Sequence, residues 1–157
     1  MSAVPISLEI DGVRHGWASM SLRAGDETYR MQGFSYTTDA FDDFVRFGVN
    51  VALHSWHSEI VFDGEPAGWL WTFEADNAGP RSWLSVYEMA DASHPDGERQ
   101  KVLWVEVQAD QLAQAVLDAM KRLKDSLGVQ EFEKAWMQPF PARGLTALAA
   151  ALEDSNA

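Results

Sequence analysis

Polar and apolar residues alternate along the first third of the chain. In "VPISLEI" the side chains of Val4, Ile6, Leu8 and Ile10 share one face. Asp11-Gly12 follows as a two-residue hairpin signal, and the next strand is expected over about Val13 to Arg23. Ala24-Gly25-Asp26 marks a further turn into "ETYRMQGFSYT", where Tyr29, Met31 and Gly33 alternate with Arg30, Gln32 and Phe34. The period then changes. Phe41, Phe44, Val45, Gly48, Val49 and Ala52 recur at helical spacing, with Thr38 or Asp39 as cap and Asp42 and Asp43 suited to the N-terminal dipole.

Alternation returns at about Glu59–Asp63, Gly68–Glu74, Ser82–Met89 and Gln100–Gln108, separated by segments that carry Gly64, Pro66, Gly79, Pro80, Pro95 and Gly97. In "WLWTFEAD", Trp69, Trp71 and Phe73 fall on one face and Thr72, Glu74 and Asp76 on the other, as in a half-buried antiparallel strand. Asp110 can cap a long helix whose buried stripe is Leu112, Ala113, Val116, Leu117, Met120, Leu123 and Leu127, ended by Gly128. "VQEFEKAW" reads as a short helix. "LTALAAALE" reads as a last one with Leu145, Leu148, Ala149 and Leu152 inward. The expectation is one α+β domain over residues 1–157. About seven antiparallel strands form its sheet, a long helix follows strand three, and a C-terminal helical segment packs on one face.

Composition narrows the function. The chain has no Cys, so thiol catalysis, disulfides and zinc-thiolate sites are excluded. The N-terminus lacks a basic n-region with an apolar run, and no segment approaches the roughly 20 apolar residues of a bilayer span. A cytoplasmic protein without membrane attachment is expected. Net charge is −12, and it is uneven: between Glu59 and Glu98 nine acids face Arg81 alone, so this block holds eight of the twelve net charges. Such a field repels nucleic acid and anionic membranes and attracts a basic protein. Asp63, Glu65, Glu74, Asp76 and Glu88 are the expected partner-binding residues, displayed because the neighbouring aromatics turn inward.

Candidate chemistry is sparse. There is no Walker A loop, no G-x-G-x-x-G turn and no G-x-S-x-G elbow. His54 and His57, beside Glu59, are three residues apart across the expected helix end, a looser arrangement than the i, i+4 pair that places two ligands on one helix face. A C-terminal histidine favoured by the helix dipole outweighs a metal pair there. Neither a cofactor nor a metal is expected, and the chain reads as a binding protein more than an enzyme. Two alternatives stay open: a small ligand-binding protein or enzyme with a pocket between sheet and helices near His54, His57 and Glu59, and a homodimeric scaffold. Most of the seven Trp residues are expected to fill the space between sheet and helices.

The run "GVQEFEKAWMQPFPARGLTALAAALE", through Phe132, Trp136, Phe140, Pro141, Leu145 and Leu148, resembles small uncharacterised bacterial proteins, as does "FDGEPAGWLWTFEAD", with Glu65, Pro66 and Gly68. Among these are immunity-like proteins of toxin systems. The resemblance implies a non-enzymatic inhibitor that blocks a cognate basic toxin.

Overall fold

In the computed structural model, residues 2–77 and 79–155 are described. Strands β1 (Ile6–Arg14), β2 (Trp17–Ala24) and β3 (Glu27–Ser35) form an antiparallel three-stranded sheet. A 3-10 turn at Tyr36–Thr38 leads into helix α1 (Ala40–Ala52). A second antiparallel sheet follows in the order β4 (His57–Asp63), β5 (Gly68–Ala75), β6 (Ser82–Met89) and β7 (Arg99–Glu106). Helices α2 (Ala109–Leu127), α3 (Val129–Trp136) and α4 (Ala142–Ser155) complete the chain. The α+β class and the seven strands match the sequence pattern, but the strands divide into two sheets.

The first hairpin corrects one expectation. β1 runs straight through Asp11-Gly12, and the chain reverses at His15-Gly16, where both residues have positive φ (55° and 77°) as a type I′ turn requires. Gly12, also at positive φ, sits instead where the β1–β2 register shifts, absorbing an extra residue in a bulge. Position 16 requires glycine, both for its positive φ and because a side chain there would collide with the Tyr36 ring.

One hydrophobic core joins the inner faces of both sheets to the helices. Leu8, Met20, Leu22, Met31 and Phe34 come from the first sheet, and Ile60, Phe62, Trp71, Phe73, Leu84 and Val86 from the second. Helix α1 is central, packed against α2, α4 and β4, so its apolar surface is wider than one stripe, with Phe47 and Val51 buried as well. A Cβ at Gly48 would lie 3.0 Å from Val116 and 3.1 Å from Leu148, so this glycine sets how closely α2 and α4 approach. Around α1 the rings of Phe34, Phe41, Phe62, Trp71 and Trp136 meet in edge-to-face and tilted pairs. Each such pair adds about 0.5–1.5 kcal/mol beyond burial.

The sheets are also stitched at their margins. The Val4 amide donates to the Glu106 carbonyl (3.0 Å), linking the start of the first sheet to the end of the second. Trp69 Nε1 donates to the Tyr29 hydroxyl (2.9 Å), which itself donates to Glu88. Burial and the Glu88 bond together push the Tyr29 phenol up to about 12. Helix α2 starts at Gln108 without a side-chain cap, and Asp110 turns instead to Ser155 at the end of α4, whose Oγ lies 2.9 Å from both carboxylate oxygens. Among the described residues, no helix is long and apolar enough to cross a membrane.

Candidate binding face

The four-stranded sheet turns one face to the core and leaves the other without a covering helix, and strand register arranges the outer side chains in rows. His57, Glu74, Trp83 and Glu106 form one row. Glu59, Thr72, Ser85 and Trp104 form the next, and Val61, Leu70, Tyr87 and Lys101 the third. A register shift between Val86 and Tyr87 skips Val102, which brings Lys101 onto the same face as Trp104.

These rows make three environments. At the end where β4 turns into β5, the loop between β6 and β7 folds back, and the Ala92 amide donates to the Pro66 carbonyl (2.8 Å). Leu70, Met89 and Ala92 close a small second core beneath that loop, with Val61 and Tyr87 packed against it. Gly68 belongs to this seal, since a Cβ there would run into the Phe62 carbonyl and Ala92. The contact also gathers charge: Asp63, Glu65 and Asp91 line one depression of about 340 Å³ with Pro66 and Ser93, and no Lys or Arg lines it. Asp63 accepts the Glu65 amide (2.8 Å), fixing the turn. Hydrogen bonds from Ser93, and then His94, hold the Asp91 carboxyl below its ordinary range, so it is ionised at neutral pH.

In the middle of the face, Thr72, Glu74, Trp83, Ser85, Tyr87, Lys101 and Trp104 line a groove of about 240 Å³. The Trp83 and Trp104 ring planes are parallel within 5°, with centroids 6.4 Å apart. Cations stand against these rings in sequence. The Arg81 guanidinium is 5.1 Å from the Trp83 centroid, the Lys101 ammonium 5.8 Å from Trp104 and 5.6 Å from Tyr87, and the Arg99 guanidinium 4.5 Å from Tyr87. Arg81 also pairs with Glu106 (2.8 Å), and that hydrogen bond raises the guanidinium above its ordinary value.

At the third place, His57 is held between carboxylates, with Nε2 3.1 Å from Glu59 and Nδ1 3.5 Å from Glu74. His54 is elsewhere. It follows the α1 C-cap Leu53 in a left-handed conformation (φ 60°), and its ring lies 3.3 Å from Ser155 Oγ on the far side of the sheet. His54, Phe73, Arg81, Gln108 and Asp110 line a cleft of about 410 Å³ there, whereas Glu59 borders a separate depression against Asp43, Arg46 and Asn50 of α1. The expected grouping of His54, His57 and Glu59 around one mouth is therefore absent. No group of three or more His, Asp and Glu among the described residues could hold a metal.

The five acids expected to form one surface divide three ways. Asp63 and Glu65 share the loop end. Glu74 lies about 20 Å away, six residues along β5 from Gly68, the partner of Asp63, and Asp76 lies just past the end of that strand, its amide donating to the Arg81 carbonyl. Glu88 pairs with Trp69 in register and so faces the first sheet, where it takes the Tyr29 bond. Asp91 completes the loop-end cluster, and only the Ala92–Pro66 contact between distant loops reveals it. Trp residues depart from the core expectation too. Trp71 and Trp136 are fully buried and Trp69 and Trp83 half-buried, while Trp17, Trp56 and Trp104 are exposed.

No family model and no curated protein matches this chain. Among solved structures it is similar to the plant transcriptional regulator PBF-2, at 10% identity and a TM-score of 0.41, over 87% of this chain and 84% of that one. At that distance the likeness bears on no functional argument.

Proposed function

We propose that this chain is a non-enzymatic cytoplasmic binding protein that engages a basic protein partner through the acidic loop end of its four-stranded sheet. The observation that carries the reading is the convergence of Asp63, Glu65 and Asp91 around one depression lined by no Lys or Arg. Carboxylates fixed in this way attract a cationic surface before contact and act as a rigid acceptor after it. A basic toxin is the partner class that the sequence resemblance implies. Glu74, Asp76 and Glu88 fall outside this surface.

Affinity isolation from the native host tests the reading, with the wild-type chain and the D63K/E65K/D91K variant as baits at low and moderate salt. A basic protein retained by the wild type, released as salt rises and lost with the variant is the expected result. Equal retention by both baits, or no basic protein on either, would refute it.

A further inference from the structure

We propose that the groove on the outer face of the four-stranded sheet is a binding site for a neutral, polyhydroxylated ligand of the carbohydrate class. This inference does not rest on the basic-partner reading, because it uses a different part of the same face.

The first observation is a pair of hydroxyls. Thr72 and Ser85 lie directly opposite each other on β5 and β6, both only 7% exposed, and both line the groove. Neither hydroxyl has a hydrogen-bond partner among the described residues. Both hydroxyls stay open to the groove, since Trp71 Nε1 is the one fully enclosed side-chain polar atom without a partner among the described residues, and each can donate and accept at once. A ligand that presents hydroxyls of its own answers both roles.

The second observation is the wall. Trp83, Trp104 and Tyr87 stand around those hydroxyls, and Trp104 is 53% exposed although it is one of the largest apolar side chains. An aromatic face carries negative quadrupole charge and attracts the weakly positive hydrogens of C–H groups. A pyranose ring has such a C–H face, with hydroxyls around its rim, so aromatic wall and hydroxyl floor suit the two sides of one sugar.

Charge decides against the other occupants. Glu74 and Lys101, the only charged lining residues, cancel, and neighbouring Arg81 is already paired with Glu106. A partner's Lys or Arg would be repelled by Arg81, Arg99 and Lys101 beside the rings, whereas a neutral ligand would not. An anionic chain would approach a protein of net charge −12. The groove is also smaller than a typical drug-sized site, which matches one sugar ring and a weak affinity.

Isothermal titration calorimetry on the full chain with maltotetraose, cellotetraose and chitotetraose provides the test. At least one should bind with a saturating heat. Trp104→Ala should weaken that binding by roughly tenfold or more, and Thr72→Val should weaken it by several-fold without changing side-chain shape. D63K/E65K should bind as the wild type does, which separates failure of this site from failure of the acidic end. The inference is overturned if none of the three sugars binds, if Trp104→Ala and Thr72→Val both bind like the wild type, or if a hexalysine peptide displaces the sugar from the groove. Circular dichroism confirms that each variant is folded, and since Trp104 is exposed its removal leaves the core intact.

Discussion

The outer faces of the two sheets come from the same kind of antiparallel hairpin, yet they are finished differently. On the three-stranded sheet most outward positions are small or polar, with Trp17 exposed at one end, and Arg30 closes the centre by bonding both Asp11 oxygens (2.8 and 3.1 Å) and Ser21 (2.9 Å). Ser19 meanwhile accepts the Gly33 amide (3.2 Å). The centre of that face satisfies itself. On the four-stranded sheet the outward positions include Trp83, Tyr87 and Trp104 around two hydroxyls with no partner. The difference teaches that exposure alone does not mark a recognition surface. What matters is whether the face has already met its own hydrogen-bonding and apolar requirements.

The comparison breaks most visibly at Leu70, which points outward in register yet is buried under the β6–β7 loop. Leu70→Ala is expected to cost about 2–5 kcal/mol in chemical denaturation, as a core truncation does, whereas Ser21→Ala on the other sheet should stay within about 0.5 kcal/mol. Thr72→Val sharpens the contrast differently. Because the hydroxyl it removes bonds no protein side chain and stays open to the groove, stability should change by less than about 1 kcal/mol in the same measurement, even as the variant loses the binding proposed above. The smallest effect belongs to the self-satisfied face. Arg30→Ala should cost about 0.2–1 kcal/mol, and the loss should shrink in high salt, as befits an exposed ion pair.

How much of this was legible in the sequence follows from the range of each signal. The strands and helices were readable because alternation and helical spacing are local: β6 and α3 occupy the segments that the pattern predicts. The first turn was misread because Asp11-Gly12 and His15-Gly16 both fit a reversal locally. The choice is visible only in the β1–β2 register, which shifts at Gly12 and closes at Arg14 and Trp17. Alternation also placed Trp69, Trp71 and Phe73 correctly on one face but could say nothing of what lay over the other. Trp104 required the register of β6 and β7, and Lys101 the bulge at Val102, neither of which any one segment encodes. The acidic surface was half legible. Asp63 and Glu65 are close in the chain, but Asp91 joins them through a contact between loops, and Glu88 turns away because strand parity assigns it to the face of Trp69.

Trp71, next to Thr72 in the chain and facing the opposite way, is fully buried among Phe44, Phe47 and Phe62, and its indole N–H meets no acceptor among the described residues. An indole shielded from water and from any acceptor emits at the short-wavelength limit of tryptophan fluorescence, whereas exposed Trp104 emits further to the red. The molecule thus divides its indoles between a blue-emitting interior, Trp71 and Trp136, and a red-emitting surface, Trp17, Trp56 and Trp104, the last of them on the groove.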